Sequence, residues 1–296
     1  MRFVAIDVET ANADLSSICQ IGVVSFCDRG VVQKWERLVN PEDHFDPVNV
    51  SVHGISDEAV AQAPTLPQLF EDLQKVLSDQ VVVHHTGFDR ASLTRATEKH
   101  GLPRISCTWL DSAKVVRRAW PEYSSKGYGL ANITQRLGIE FRHHDAAEDA
   151  RAAGEVLLRA MGETGRTLDD WLVRVRQPIS GETRRRGGSR SRAPIAREGN
   201  PDGPLAGEVA VFTGALSIPR REAAQLAANA GCTVEDSVKK ATTLLVVGDQ
   251  DVRKLGGHEK SSKHRKAEEL IAKGQPVRIL AEGDFRRLLE IEGVGT

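Results

Sequence analysis

Two carboxylates stand two residues apart at the end of an apolar run near the start of the chain. The run covers residues 3–6, and Asp7 and Glu9 follow it with Val8 between them. Because side chains alternate between the two faces of a strand, this spacing places both carboxylates on one face. Neighbouring like charges repel unless a cation lies between them, and carboxylate oxygens suit Mg²⁺ or Mn²⁺ better than Zn²⁺. The pair predicts a divalent-cation site, although a strand that ends in two solvated acids has the same spacing.

A third carboxylate follows the next predicted strand of this region. Residues 81–83 form a short apolar run, and Asp89 comes after it, next to Phe88, where a helix is expected to begin. A side chain near the start of that helix can turn toward the first strand. We therefore expect Asp89 to join the cation site.

A pair of histidines precedes a fourth carboxylate. Asp145 and Glu148 have the spacing of a capping box, which predicts a helix that begins at Asp145. Asp149 then lies in the first turns of this helix, and His144 lies just outside it. This placement suits a metal ligand that is held in place and a general base that moves. His143 is an alternative base, one residue further from Asp149.

The segments between these residues predict the elements that carry them. Residues 2–6 and 18–26 are apolar and β-branched and predict strands, with residues 31–38 as an antiparallel partner. Apolar residues recur at helical spacing over residues 66–77, and residues 90–100 predict another helix. This mixture of strands and helices indicates an α/β domain with a mixed sheet.

The acidic residues and the histidine together resemble a known family of nucleases, the DEDDh 3′→5′ exonucleases. Its members include proofreading epsilon subunits, ribonuclease T and oligoribonucleases. The three matching motifs are Asp7-x-Glu9, Phe88-Asp89 and His144-x₄-Asp149, in this order over about residues 1–170. The resemblance implies a ribonuclease H-like fold and the release of nucleoside 5′-monophosphates, one at a time, from a 3′ end.

The same resemblance implies a role for each motif residue. A two-metal mechanism would use two Mg²⁺ or Mn²⁺ ions and a histidine as general base. The implied metal ligands are Asp7, Glu9, Asp89 and Asp149, and the implied base is His144. The residues expected at the terminal nucleotide are Thr10, His53, His85 and Phe88. At His85 the chain departs from the family, because many relatives carry an asparagine there.

The last 90 or so residues alternate between predicted strands and helices, which indicates a second, smaller domain with a parallel sheet. A pattern that begins at residues 211–216 resembles a BRCT domain, particularly that of bacterial NAD⁺-dependent DNA ligases. In phosphate-binding members a hydroxyl, the following glycine amide and a lysine bind the phosphate. These positions correspond to Thr213, Gly214 and Lys266. The resemblance leaves the ligand open between a DNA 5′-phosphate, a phosphopeptide and no phosphate at all.

An arginine-, glycine- and serine-rich segment separates the two predicted domains. We expect an exonuclease domain at residues 1–173, a disordered linker at 174–203 and a BRCT domain at 204–296. The linker carries 8 Lys and Arg against 3 Asp and Glu, a net charge of +5. It is either a phosphate-binding tether or a spacer that its charge keeps in solution.

The sequence predicts a metal-dependent 3′→5′ exonuclease of DNA repair or replication. The BRCT resemblance favours DNA as the partner over RNA and adds a protein partner as a second possibility. An exoribonuclease and a non-catalytic DNA-repair scaffold are the alternatives. The four cysteines lack the spacing of a metal site, and no run of 18 apolar residues occurs. We therefore expect a cytoplasmic protein with no membrane partner.

Overall fold

The chain divides into two compact units, Met1–Gln177 and Pro178–Thr296. The structure is a computed structural model, and it describes residues 1–124, 127–179, 195–248, 260–291 and 293. The charged centre of the predicted linker lies outside these ranges. Within them, none of the helices combines the length and the apolar composition that a membrane span requires.

The first unit is built on a mixed five-stranded sheet in the order β3-β2-β1-β4-β5. Its strands are β1 (Arg2–Thr10), β2 (Ile18–Cys27), β3 (Gly30–Leu38), β4 (Val81–His84) and β5 (Thr108–Asp111). The pairs β1–β2 and β2–β3 are antiparallel, whereas β1–β4 and β4–β5 are parallel. The predicted mixed sheet is confirmed.

Eight helices of the described residues surround this sheet. They are α1 (Pro47–His53), α2 (Asp57–Val60), α3 (Leu66–Leu77), α4 (Phe88–Lys99), α5 (Ser112–Ala119), α6 (Leu130–Leu137), α7 (Ala146–Thr164) and α8 (Leu168–Arg174), and a 3₁₀ turn covers Pro121–Tyr123. The helix predicted at residues 66–77 is confirmed as α3.

The alternation of side chains along β1 divides the core between the two faces of the sheet. Phe3 belongs to a cluster with residues of α5, α6 and α7. Val4 and Ile6 belong to a second cluster, with residues of α3 and α4. Asp7 and Glu9 continue the odd-numbered positions of Phe3, so they lie on the face that α7 covers. The period of the strand thus brings both carboxylates under this helix.

Helix α7 comes unusually close to the sheet where β2 carries a glycine. Gly22 pairs with Asp7 in the β1–β2 ladder. A Cβ at Gly22 would lie 2.3 Å from the carbonyl carbon of Ala146, at the start of α7. Ordinary contacts of a Cβ are longer than 3.4 Å, so a side chain here would displace the helix. Gly22 therefore permits the start of α7 to lie beside Asp7.

The second unit has a four-stranded parallel sheet in the order β7-β6-β8-β9. Its strands are β6 (Val209–Thr213), β7 (Thr233–Glu235), β8 (Leu244–Val247) and β9 (Arg278–Ala281). Its described helices are α9 (Arg220–Ala230), α10 (Ser262–Ile271) and α11 (Glu282–Ile291). This architecture confirms the predicted small parallel α/β domain.

The segment that precedes this sheet packs on the second unit. Arg197 forms an isolated bridge with Val234 of β7, and the N–H of Asn200 donates to the carbonyl of Ala228 at 2.8 Å. The contacts of the second unit thus begin before the predicted boundary at residue 204. In the first unit, α8 extends to Arg174, the first residue of the predicted linker.

Candidate active site

Strand β1 presents Asp7 and Glu9 from a backbone that is held on both sides. Hydrogen-bonded neighbours flank β1, with β2 along most of its length and β4 at Val4 and Ala5. The ladder with β2 is regular as far as Glu9, and a bulge follows between Glu9 and Thr10. Both carboxylates are therefore attached to a backbone with little freedom to move.

Helix α7 presents the carboxylate of Asp149. Asp145 is the N-cap, and its side chain accepts the N–H of Glu148 at 3.1 Å, so the predicted start of the helix is confirmed. The side chain of Glu148 binds Lys34 and Arg151 rather than returning to the cap. The N–H of Asp145 instead donates to Oδ2 of Asp149 at 3.2 Å. This bond orients the Asp149 carboxylate at the beginning of α7.

The structure brings three of the predicted ligands together. One carboxylate oxygen each from Asp7, Glu9 and Asp149 lie within 4.8 Å of one another. Asp149 is buried, with 4% of its surface exposed, and the other two are half-buried. Three negative charges this close repel one another unless cations neutralise them. A set of hard carboxylate oxygens fits Mg²⁺ or Mn²⁺.

The fourth predicted ligand, Asp89, lies beside this cluster. It is in the first turn of α4 and is 2% exposed. Its Oδ1 accepts the backbone N–H of Val8 at 3.3 Å. Val8 separates Asp7 from Glu9, so the contact anchors Asp89 at the same part of β1. Its role as a metal ligand stays a prediction.

The two histidines before α7 have different surroundings. Nδ1 of His143 lies 2.9 Å from Oδ1 of Asp149. His144, the predicted base, is half-buried and has a positive φ of 63°. Their rings are stacked, with 4.2 Å between the centroids and 2° between the planes. The structure therefore places His143 against Asp149 and His144 against the ring of His143, and the roles of both histidines stay predictions.

Two of the residues predicted at the terminal nucleotide meet beside Glu9. Nε2 of His53 donates to the carbonyl of Thr10 at 3.2 Å, and Nδ1 of His53 accepts the N–H of Ile55 at 3.0 Å. Burial lowers the pKa of His53, and the hydrogen bond to Thr10 partly offsets this effect. Phe88, the first residue of α4, is half-buried next to Asp89.

His85, the remaining residue predicted at the terminal nucleotide, is held by two hydrogen bonds, and its role there stays a prediction. The side chain is buried, with Nδ1 2.8 Å from the hydroxyl of Ser112 and Nε2 donating to the carbonyl of Tyr128 at 3.0 Å. Both ring nitrogens thus bind groups of the protein. His85 connects the end of β4 to the start of α5 and to the segment before α6.

Sequence reasoning missed Asp111, which supports the turn before Asp89. Its Oδ1 accepts the N–H of Ala113 at 2.8 Å, which caps α5, and the N–H of Thr86 at 3.1 Å. Thr86 has a φ of 72°, a conformation that is uncommon for a β-branched residue. An aspartate between a strand and a helix was the available signal, because such residues are favoured N-caps.

We expect an Asp111→Asn variant to be less stable than the parent at neutral pH. Burial raises the pKa of Asp111, but Lys114, His84, His85 and the Thr86 N–H outweigh it and hold this pKa below its ordinary value. A depressed folded pKa contributes stability above about pH 4, and this contribution is lost as pH falls through the folded value.

Urea unfolding of the parent and of Asp111→Asn between about pH 2 and 7 measures this difference, which we expect to shrink in acid. Asp169→Asn, on the exposed surface of α8, is the control for the loss of one charge. A difference between the parent and Asp111→Asn that stays constant with pH would contradict the prediction.

The end of β6 in the second unit gathers polar groups around Thr213 and Gly214. The hydroxyl of Thr213 lies 2.8 Å from that of Ser261, and Arg220 donates to the carbonyl of Gly214 at 2.6 Å. Nζ of Lys263 donates to the carbonyl of Phe212 at 2.9 Å. Two hydroxyls and two cations thus lie at this strand end.

The predicted lysine of this site, Lys266, is placed differently. Its Nζ binds Glu269 at 2.8 Å on an exposed part of α10. Lys263, one turn earlier in α10, takes the position at the strand end. Burial lowers the pKa of Lys263, the nearby Arg220 lowers it further, and Asp236 opposes both. The structure thus places Lys263 rather than Lys266 at the strand end, and the phosphate-binding role of Lys266 stays a prediction.

Comparisons with known proteins agree with both domains. A family model described as Exonuclease, RNase_T, matches residues 4–157, more than half of the chain. A second model, described as BRCA1 C Terminus (BRCT) domain, matches residues 200–273.

The chain is similar to the DNA polymerase III PolC-type proteins of two streptococci. The relatives from Streptococcus pneumoniae serotype 2 (strain D39) and Streptococcus sanguinis (strain SK36) are each 31% identical over 159 residues. The matches cover 52% of this chain and 11% of each relative. About half of this chain thus corresponds to a small part of these longer proteins.

Part of the chain is similar to solved structures. Exonuclease X in complex with 5′ overhanging duplex DNA is 22% identical, with a TM-score of 0.49, and covers 58% of this chain and 99% of that chain. E. coli Exonuclease I in complex with a dA16 oligonucleotide is 16% identical, with a TM-score of 0.46. This match covers 57% of this chain and 42% of that chain. From the match over residues 4–157, this chain belongs to the exonuclease family, and it carries a BRCT domain in its second unit.

Proposed function

We propose that the chain is a metal-dependent 3′→5′ exonuclease that releases nucleoside 5′-monophosphates from DNA ends. The observation that carries this proposal is the cluster of Asp7, Glu9 and Asp149, with oxygens within 4.8 Å of one another. Two of these carboxylates belong to strand β1, and the third belongs to α7, which is distant from β1 in the sequence. Such a convergence of carboxylates, in a member of the exonuclease family, supports the hydrolysis of a phosphodiester with divalent cations.

The carboxylates of the cluster and His144 have different roles in the proposed hydrolysis. Asp7, Glu9 and Asp149, with Asp89 beside them, would hold two Mg²⁺ or Mn²⁺ ions. Bound divalent cations polarise a phosphate and lower the pKa of water. His144 accepts the proton of the attacking water as general base. Strand β1 holds Asp7 and Glu9, and the start of α7 holds Asp149, so these three carboxylates need little reorganisation when the substrate arrives.

The substrate in this proposal is DNA. The relatives in Streptococcus are DNA polymerases by name. The second unit is a BRCT domain, and the segment at 174–203 carries a net positive charge that favours polyanions. We therefore place the activity in DNA repair or replication, in the cytoplasm.

We expect the full-length protein to shorten a 5′-labelled DNA oligonucleotide from its 3′ end. The assay uses Mg²⁺ or Mn²⁺, with a matched RNA oligonucleotide and the Asp7→Ala variant alongside. A ladder on DNA that is absent in the variant and in EDTA is the expected result. A ladder chiefly on RNA would overturn the choice of DNA. Tight DNA binding without any ladder would favour a non-catalytic scaffold.

We also propose that the second unit binds a terminal phosphate, such as a DNA 5′-phosphate, at Thr213, Gly214 and Lys263. The amide of a glycine, a hydroxyl and a cation are suitable donors to a phosphate. Lys263 and Arg220 are close enough for the Arg220 charge to lower the pKa of the lysine. A bound anion would relieve the repulsion between these two cations.

Lys263→Ala is expected to weaken binding of 5′-phosphorylated DNA by about tenfold, which is typical of one charge-assisted hydrogen bond. Lys266→Ala is the matched control, because its lysine lies on the same helix but binds Glu269. Fluorescence anisotropy in an Asp7→Ala background avoids degradation of the probe. Equal affinities for 5′-phosphate and 5′-hydroxyl DNA would contradict recognition of the phosphate. Tighter binding of a phosphopeptide would identify a phosphopeptide, rather than DNA, as the ligand.

A further inference from the structure

Three neighbouring aromatic rings, of which the last two are stacked, lead from the core of the first unit to His144. Phe141 is partly buried and packs against the core cluster on the α7 face of the sheet. Its ring centroid lies 5.2 Å from that of His143. The ring of His143 lies parallel to that of His144, with 4.2 Å between the centroids. The predicted base is thus connected to the core through His143.

The backbone of His144 is in a conformation that needs support from its surroundings. Its φ of 63° is in the left-handed region, which is uncommon for residues other than glycine. Such a conformation persists when neighbouring contacts hold it. The ring of His143 is a contact of this kind, because it lies parallel to the His144 ring and its Nδ1 lies 3.2 Å from the His144 backbone nitrogen.

His143 is also attached to the carboxylate cluster. Its Nδ1 lies 2.9 Å from Oδ1 of Asp149 and 3.2 Å from the backbone nitrogen of His144, so one ring atom contacts both neighbours, and the tautomer decides which contact is a hydrogen bond. The side chain of His143 is 40% exposed, whereas that of Asp149 is 5% exposed. Burial alone therefore does not determine the orientation of His143. Its two ring neighbours and its bond to Asp149 do.

We propose that His143 is a positioning residue that holds the imidazole of His144 beside the carboxylate cluster. The inference rests on the proposed role of His144 as general base. In this arrangement His143 acts through His144, and its ring, between Phe141 and His144, supplies the support. A displacement of about 1 Å in a reacting group can reduce the rate roughly 100-fold, so a loosely held base would lower kcat.

The test compares the parent with His143→Ala, His143→Phe and His144→Ala in the full-length protein. The substrate is a 5′-labelled DNA oligonucleotide in Mg²⁺, and kcat and KM are measured separately. We expect His143→Ala to lower kcat at least about tenfold and to leave KM within about twofold, because the base is displaced and substrate contacts are kept. His143→Phe retains a ring in the stack and should recover most of this loss.

Three results would overturn the inference in distinguishable ways. A parental kcat in His143→Ala would remove any role for His143. Equal losses in the Ala and Phe variants would assign the effect to the bond with Asp149 rather than to the ring. Parental activity in His144→Ala together with an inactive His143→Ala would make His143 the base and contradict the proposed mechanism. If the parent itself is inactive, the proposed exonuclease function fails first.

Thermal unfolding of the same variants separates positioning from folding. Because the side chain of His143 is 40% exposed, we expect both of its variants to melt close to the parent. A His143→Ala variant that was largely unfolded at the assay temperature would assign its loss of kcat to folding and overturn positioning. Gly154→Ala, whose Cβ would lie 2.3 Å from the ring of Phe26, is the destabilised reference for such a loss.

Discussion

Asp149→Asn is expected to abolish DNA degradation and to raise the thermal stability of the metal-free protein. The amide keeps the size of the carboxylate and can still accept the N–H of Asp145, which lies 3.2 Å from Oδ2. It removes one of three negative charges whose oxygens lie within 4.8 Å of one another. The repulsion in the metal-free state falls, while the capacity to hold divalent cations is lost.

The expected loss of activity is at least about 1000-fold, because a metal site contributes several kcal/mol to the stabilisation of the transition state. Differential scanning fluorimetry in EDTA and in Mn²⁺ provides the second measurement. Mn²⁺ should raise the melting temperature of the parent, since a ligand that binds only the folded state stabilises it. It should raise that of Asp149→Asn much less.

The matched control is Glu155→Gln, on the same helix. Glu155 accepts from Arg151 at 2.5 Å at the surface of α7, so its loss should change the free energy of unfolding by less than about 1 kcal/mol. Activity and the response to Mn²⁺ should match those of the parent. An Asp149→Asn variant that behaved like this control would show that Asp149 is not a metal ligand.

Gly22→Ala is expected to lower both stability and activity, although residue 22 has no chemistry of its own. Its Cβ would lie 2.3 Å from the carbonyl carbon of Ala146 and from the amide nitrogen of Ala147. Both atoms belong to the backbone, so the start of α7 must move. Such overpacking costs about 1–3 kcal/mol. The movement would also separate Asp149 from Asp7, which pairs with Gly22.

Chemical unfolding and the oligonucleotide assay measure the two effects of Gly22→Ala. We expect activity to fall by at least about tenfold even where the protein is fully folded, since the geometry of the carboxylates is disturbed. Gly162→Ala is the control on the same helix, because a Cβ there meets nothing within 4 Å. It should increase stability by up to about 1 kcal/mol. Parental activity in Gly22→Ala would contradict the importance of this close approach.

The parts of the site that depend on local structure, namely the strand β1 and the start of α7, were predictable from short stretches of sequence. The two-residue period of β1 places Asp7 and Glu9 on one face wherever the strand lies in the sheet. The capping spacing at Asp145 locates the start of α7, and this start determines that Asp149 lies in the first turn. These properties depend on local backbone geometry, which a few neighbouring residues determine.

Contacts between distant segments were not predictable in the same way. Lys263 and Lys266 lie three residues apart in α10, and the packing of this helix against the end of β6 decides which amine reaches the strand. An imidazole has the same chemistry in a substrate pocket and in the protein interior. The positions of Ser112 and Tyr128 decide that His85 is buried and contacts both of them.

The sequence by itself determined the two-domain α/β organisation, the carboxylates of the exonuclease motifs and the start of the helix that carries Asp149. The tertiary structure alone decided that Gly22 lets this helix approach β1, and that His143 stacks on His144 and binds Asp149. Periodicity and capping act over a few bonded residues and are therefore visible in the sequence. The separation of two catalytic groups depends on how closely whole elements pack, and that distance is set by atoms far apart along the chain.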